Sequence, residues 1–433
     1  MNIVFFALVL IAFSVAAWRQ VVWVAASADA TGPMQALAIG MVDAAGSAVT
    51  LAIGLVGVMA LFLGLMKVAE AGGLLSIIAR LVRPLMIRLF PDVPAEHPAM
   101  GAMIMNMSAN ALGLGNAATP FGIRAMQELD RLNPHKGTAS DAMVLFLAIN
   151  TSSVTLLPTG VIALRAATGS TDPAGILPTT LFATILSTTV AILAVKLYGR
   201  FCPLPATPAA AADEIDDSAT PSPDALPSES GQAYPGWVSG LALATIAALV
   251  PITIIYGKHV APWIIPGLML GFLAFGMARR VAIYEVFVEG ARDGFQVAIR
   301  IIPYLVAILV AVGMLRASGA LELFVDAVGP LTTMVGLPGE ALPMALLRPL
   351  SGSGAYGILA SIIQDPAIGP DSYTGYLVST LQGSTETTFY VLAVYFGAVN
   401  IKRLRHALPA ALTADFAGIA GAVIACSVLY AAV

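Results

Sequence analysis

The chain has 433 residues, of which 58% are hydrophobic and 11% charged, with a net charge of −4; soluble domains average about 25% charged residues. Several apolar runs are long enough to cross a bilayer, which takes roughly 20 residues as helix, so a soluble globular protein is excluded. No basic tract points to nucleic acid.

The first run, "MNIVFFALVLIAFSVAAW", lacks the positive leader of a secretory signal, and Arg19 follows the apolar core instead of preceding it. It is expected to remain as a first transmembrane helix. An amphipathic stretch over 36–46 leads into an apolar helix over 47–69 that ends "LGLMKVAEAGGL"; Lys67 and Glu70, three residues apart, are expected to pair there. Residues 84–122 are too polar and too interrupted by Pro and Gly for an ordinary span. Within them "NMSANALGLGNAATP" gathers Asn106, Ser108, Asn110, Asn116 and Thr119 around Gly113, Gly115 and Pro120, without a charge.

Irregular backbone at membrane depth persists only inside protein or along a wet cavity. A helical hairpin is therefore expected here, broken by the two glycines and the proline, with its tip offered to a polar solute or ion. Small polar residues also hold helices together, so any single Ser or Thr has that alternative role.

Next comes "DAMVLFLAINTSSVTLLPTGVIAL", a span with Asn150, Thr151 and Ser152 at its centre, and then a plain apolar helix near 174–198. The segment 203–235 carries six acids, no Lys or Arg, and abundant Pro, Ala and Ser. Such a segment buries too little apolar surface to offset its ordering entropy, and it reads as a disordered linker over 201–236. It separates a first domain, 1–200, from a second, 237–433.

The second domain opens with two expected spans, 237–256 and 260–278, and then repeats the first. An amphipathic stretch (281–295) precedes an apolar helix (296–314) followed by "VGMLRASGALEL", and 330–357 is again interrupted, with Arg348, Ser351 and Ser353 in "LLRPLSGSGAYG". The span "YTGYLVSTLQGSTETTFYVLAVYF" has Gln382, Ser384, Thr385 and Glu386 at its centre, with Gly383 placed to unwind it. A plain apolar helix closes the chain near 406–432. Glu386 is the only charge in its span, and a carboxylate at a helix centre costs about 2.5–3.5 kcal/mol on insertion scales. It is read either as a solute ligand or coupling group, or as the static partner of Arg348, which would help attract an anionic solute.

Lys and Arg mark the cytoplasmic ends of spans. If both interrupted regions are re-entrant, the chain has about nine spans, and the clusters Arg80/Arg83/Arg88, Arg124/Arg131/Lys136, Lys196/Arg200, Arg279/Arg280 and Lys402/Arg403/Arg405 all fall in the cytoplasm with the N-terminus and the linker. Arg165, with Asp172, falls in an outside loop. The two repeats then have opposite orientation, the inverted-topology plan of secondary transporters with a mid-membrane site. There is no P-loop or metal-ligand spacing, and Cys202 and Cys426 are too isolated for a disulfide framework; an enzyme is not expected.

The motifs carry a family resemblance. "LAIGLVGVMALFLGLMKVAEAGGL" with "NMSANALGLGNAATPFGIRAMQELDRLNP" resembles the spore maturation protein A family, and "LPMALLRPLSGSGAYGI" with "STLQGSTETTFYVLAVYFGAV" resembles spore maturation protein B. The chain looks like a fusion of the two, each half similar to the Gate or nucleoside-recognition domain also attributed to concentrative nucleoside transporters and to ferrous iron transporter B. "GLGNAATPFGI" is similar in shape to a nucleoside-binding hairpin of those transporters, but Ala118 stands where that hairpin has its acid. The resemblance implies an all-α bacterial inner-membrane transporter of a small polar or anionic solute. Sodium or proton coupling, lipid contact and a homo-oligomer are expected, with no cofactor. A non-transporting membrane scaffold of envelope maturation and a passive channel are the alternatives.

Overall fold

Long apolar runs become helices because, away from water, a helix pairs its amides with carbonyls of its own segment. The computed structural model describes residues 2–24, 31–113, 115–203 and 234–430; most of the acidic linker, 204–233, lies outside the described residues. The described residues form α-helices and no β-strand. In the first half these are α1 (Asn2–Val22), α2 (Pro33–Ala71), α3 (Leu74–Leu89), α4 (Pro98–Ala111), α5 (Gly115–Arg131), α6 (Asp141–Thr151), α7 (Thr159–Ala167) and α8 (Ile176–Gly199). In the second they are α9 (Gly236–Ala278), α10 (Ile283–Ser318), α11 (Ala320–Thr333), α12 (Leu342–Leu347), α13 (Gly352–Ile363), α14 (Tyr373–Ser384), α15 (Thr388–Gly397) and α16 (Ala407–Tyr430). Among them α1, α2, α8 and α16 are each long and apolar enough to cross a membrane. The protein is an all-α polytopic membrane protein.

The internal repeat is visible element by element, α2–α8 against α10–α16. Each copy starts with a long helix that ends at a glycine in the left-handed region, Gly73 (φ 84°) or Gly319 (φ 78°). That backbone is free of steric cost only for glycine, and it lets the chain turn sharply; α10 and α11 meet at 82° across Gly319. A shorter charged helix follows, α3 or α11, then a helical hairpin (α4–α5 or α12–α13), a broken helix (α6–α7 or α14–α15) and a closing helix.

Equivalent helices of the two copies run antiparallel. Along α2 and α10, Gly40 abuts Ala317, Ala44 abuts Gly313, Ala60 abuts Gly294 and Gly64 abuts Phe287. Along α8 and α16, Tyr430 Oη donates to the Gly175 carbonyl (2.6 Å) and Ser187 Oγ to that of Ala414 (2.7 Å), while Gly199 lies against His406. Small residues at these crossings let the backbones approach closely, as is usual between membrane helices. The repeats therefore have inverted topology, as the charge pattern predicts.

Four of the five Lys/Arg clusters gather at one end of the bundle. Thr138 and Arg403 form an isolated bridge, Arg405 donates to the Cys202 carbonyl and to Asp141 (2.6 Å), and Arg88, Lys196 and Arg200 border a common cavity. Lys67 lies 3.9 Å from Glu70, as expected, and equally near Glu289 of α10.

The structure departs from the sequence reading in three places. The two spans expected at 237–256 and 260–278 are one uninterrupted helix, α9; Gly257 is the only weak point between them, and a lone glycine costs a helix about 1 kcal/mol. Pro120 does not break its helix but lies inside α5; the break follows α4, at Leu112 and Gly113. Gly383 is likewise helical, within α14, and is held close to Thr180; the unwound residues are Thr385 to Thr387.

Candidate functional site

Each hairpin tip meets the break of its own copy's broken helix. In the first copy the Leu156 N–H donates to the Ala111 carbonyl (2.9 Å). Gly113 (φ 75°) presses so closely on the Leu157 carbonyl that a side chain has no room. In the second, Arg348 at the end of α12 reaches the break between α14 and α15. The two breaks then join, through the Glu386 N–H donating to the Thr151 carbonyl (2.7 Å). Four irregular segments, two from each copy, converge in the interior. Beside them lies a cavity of about 880 Å³, bordered by residues of α4 to α7 from the first copy and by the hairpin tip and the break of the second, within the size range of small-molecule sites.

Seven of the predicted residues line this cavity: Asn110, Thr119, Asn150, Ser351, Ser353, Gln382 and Glu386. Two of them offer unused hydrogen-bonding atoms. Among the described residues Asn110 Nδ2 and Gln382 Oε1 are buried without a partner, a donor from one repeat and an acceptor from the other. Leaving such an atom unpaired costs about 1–3 kcal/mol.

Arg348 is 5% exposed and directs its guanidinium at the broken helix. Nε donates to the Gln382 carbonyl (3.0 Å), Nη1 to Thr387 Oγ1 (3.0 Å) and Nη2 to the Thr385 carbonyl. A helix end leaves four carbonyls without intrahelical donors, and Arg348 supplies donors at the end of α14. The expected static pair with Glu386 is weak: the nearest approach is 3.9 Å, without a hydrogen bond, and the Glu386 side chain is 44% exposed. Its carboxylate faces the cavity instead.

Other predicted residues hold the site without lining the main cavity. Asn106, fully buried, donates to the Ala118 carbonyl (2.7 Å) and to Tyr395 Oη (3.1 Å) and accepts from Asn150. With all its hydrogen-bonding groups engaged, it positions α5 and Asn150. Ser108, Thr151, Ser152 and Ser384 turn back onto carbonyls of their own helices, those of Ile104, Ala148, Ala148 and Leu381. They play the packing role that Ser and Thr take between membrane helices. Thr385 and Arg348 border a smaller adjoining pocket. The Asn116 side chain lies outside the described residues.

Thr387, at the end of the polar segment, also borders the cavity, and two tyrosines there escape the sequence reading, Tyr390 and Tyr395. They sit in an apolar helix, where aromatics are ordinary, and nothing in the sequence singles them out. Asp415 is a different omission. It lies in α16, read as plainly apolar, and is 3% exposed. Thr388 Oγ1 donates to its Oδ2 (2.7 Å), while Oδ1 has no partner among the described residues. An acid inside "LTADFAGIAGAV" is a legible signal, since intramembrane ionisable residues are functional candidates by default.

Arg165, read as a loop charge, is fully buried at the end of α7. It donates to the Pro370 carbonyl (2.6 Å) and to Asp371 Oδ1 (3.0 Å), under the ring of Tyr376. This clamp pins the first broken helix to the start of the second; Arg405 on Asp141 pins the second to the start of the first, at the opposite end of the bundle. At Asp371, burial pushes the carboxyl pKa up. Hydrogen bonds from Ser170 Oγ and from the Thr171 amide and hydroxyl, with the charge of Arg165, outweigh it and leave the pKa below the usual range. A depressed folded pKa contributes stability above the unfolded value of about 3.9 that is lost as pH falls through the folded one. Asp371→Asn should therefore melt below wild type at neutral pH, with the difference shrinking below about pH 4 in thermal scans; a gap constant from pH 7 downward would refute the role given to this carboxylate.

The sequence profile of a family described as "Gate: Nucleoside recognition" matches residues 52–168 and 298–402, the two stretches that contain the hairpins and broken helices. The chain is 44% identical over 180 residues to Spore maturation protein A of Bacillus subtilis (strain 168), 40% of this chain and 92% of that protein. It is also 44% identical over 166 residues to Spore maturation protein B of the same organism, 38% of this chain and 92% of that one. Nearly the whole of each relative is thus represented, in a chain with two inverted copies.

Proposed function

The chain belongs to the Gate, nucleoside-recognition, family, and from that premise we propose that it is a secondary transporter of a small, uncharged polar solute, working by alternating access. The observation that carries the proposal is a pair of amide atoms without partners among the described residues, Asn110 Nδ2 and Gln382 Oε1, whose side chains border one cavity between inverted repeats with an open carboxylate at Glu386. A scaffold gains nothing from leaving two buried amides unpaired, whereas a solute with hydroxyl and amide-like groups offsets the desolvation of both atoms. Inverted repeats meeting at irregular segments are also the construction that lets one half rock against the other around a fixed site.

An anionic solute fits this cavity less well than the sequence suggests. Arg348 is committed to the carbonyls of the broken helix, so the charge left open to the cavity is the negative one of Glu386. The family description favours nucleosides as the first class, with Glu386 standing in for the acid absent at Ala118. The Lys/Arg-rich end would face the cytoplasm of a bacterial inner membrane, with Na⁺ or H⁺ as the coupling ion.

A thermal-shift screen of the purified protein against nucleosides, carboxylates and envelope precursors, with and without sodium and at two pH values, tests the reading. A nucleoside or another neutral polar compound should raise the melting point in proportion to the logarithm of its concentration above Kd, and should show saturable uptake in proteoliposomes. Binding without uptake would favour a scaffold or sensor; uptake that never saturates would favour a channel.

A further inference from the structure

A second cavity, of about 360 Å³, opens at the Lys/Arg-rich end between the ends of α3 and α8, the start of α6 and the turn before α16. Its border carries three cations, Arg88, Lys196 and Arg200, whose side chains have no ion-pair or hydrogen-bond partner among the described residues. Of the two acids on the border, Asp141 is already taken by Arg405 (2.6 Å), which leaves Asp92 against three positive charges. His406, also on the border, is 2% exposed, and its Nδ1 is buried without a partner among the described residues.

Cations at helix C-termini are usually explained by the helix dipole, and each of these three sits at one. The dipole does not explain why all three converge on one cavity. A phosphate does, because it accepts charge-assisted hydrogen bonds from several donors at once.

The surroundings indicate where that phosphate comes from. Leu193, Leu197 and Phe201, on the stretch of chain that carries Lys196 and Arg200, are 61%, 51% and 77% exposed. Leu193 and Leu197 make an exposed apolar strip on α8, a helix long enough to cross a membrane, and Phe201 stands just past its end. We propose that this cavity binds the headgroup of an anionic phospholipid, whose acyl chains lie along the Leu193–Leu197–Phe201 strip. Basic pockets between transmembrane helices at a membrane surface have the electrostatics for such lipids, and here the basic and apolar parts are adjacent.

The test is a native mass-spectrometric titration of the full chain, in uncharged detergent, with phosphatidylglycerol or phosphatidylcholine. Wild type should retain phosphatidylglycerol in preference to phosphatidylcholine. The triple variant Arg88→Gln/Lys196→Gln/Arg200→Gln should lose about a hundredfold in that preference, from the attraction of three cations to an anionic headgroup. A control, Arg279→Gln/Arg280→Gln, removes charge from another cluster and should bind like wild type. Equal retention of the two lipids, or a triple variant that still selects phosphatidylglycerol, overturns the proposal. Displacement of phosphatidylglycerol by inorganic phosphate, with equal protection of the fold, overturns the lipid as the source and leaves a free-phosphate site. Should the triple variant fail to fold, a photoactivatable phosphatidylglycerol decides the matter on wild type: crosslinks at 193–201 support the site, and their absence there refutes it.

Discussion

Arg348→Met should destabilise the protein by about 2–6 kcal/mol, because it leaves two buried carbonyls without donors, at about 1–3 kcal/mol each. The reason lies in what Arg348 serves. Two of its three hydrogen-bond acceptors are backbone carbonyls, those of Gln382 and Thr385, and the third is Thr387 Oγ1. When a buried ion pair is replaced whole by apolar side chains, stability is often kept, because both partners leave together. Backbone carbonyls cannot leave. Methionine fills much of the volume but strands these acceptors in an interior that water reaches only through the cavity, at about 1–3 kcal/mol for each unpaired group. Arg348→Lys keeps the charge but offers a compact ammonium in place of a planar fork, and it should fall between methionine and wild type. Melting points and detergent-solubilised yield of the three proteins measure the order. If the methionine variant melts with wild type, Arg348 does not hold the broken helix, and the open state of Glu386 needs another cause.

The architecture was largely legible because membranes constrain sequences strongly. Apolar length marks spans, and Pro, Gly and amide residues within apolar stretches mark broken ones; the similar endings "VAEAGGL" and "RASGALEL" marked the repeat, though not the left-handed corners at Gly73 and Gly319. Charge counting foretold the inversion, since Lys and Arg near helix ends record which side they face. What failed was local. Pro120 and Gly383 looked like breaks, yet a helix tolerates either when its neighbours fill the gap, and Gly383 is small because Thr180 lies against it. The candidate site divided along similar lines. Polar residue type identified the irregular segments but not the direction of each side chain, so Asn106 and Asn110, four residues apart on α4, look alike in the sequence. One is fully engaged in holding the hairpin, and the other borders the cavity with a donor that has no partner among the described residues. Tyr390 and Tyr395 were hidden because a hydroxyl on an aromatic ring is ordinary in an apolar helix until its partner, here Asn106 for Tyr395, is known. Asp415 was there to be read.

Glu386→Gln should leave the fold intact and remove most of the solute affinity. Among the described residues the carboxylate makes no hydrogen bond, approaches Arg348 no closer than 3.9 Å and is 44% exposed, so its exchange for an amide of the same shape strands nothing. Stability should stay level, since the carboxylate lies in the unwound segment and faces the cavity. Binding should move the other way. A hydrogen bond to a charged group contributes about 1.5–3 kcal/mol, so a solute donor that meets Glu386 loses about 10- to 150-fold in affinity against glutamine. The compound giving the largest shift on wild type is the one to measure, by calorimetry and by uptake into proteoliposomes. Asn110→Ala gives the comparison: it removes a neutral donor, worth about 0.5–1.5 kcal/mol, and should weaken the same compound several-fold. Losses in this order, with unchanged melting points in the apo proteins, place the solute between the two repeats. A Glu386→Gln protein that binds and transports like wild type would move the site away from the broken helices, and one that melts far below wild type would return Glu386 to the role of structural partner for Arg348.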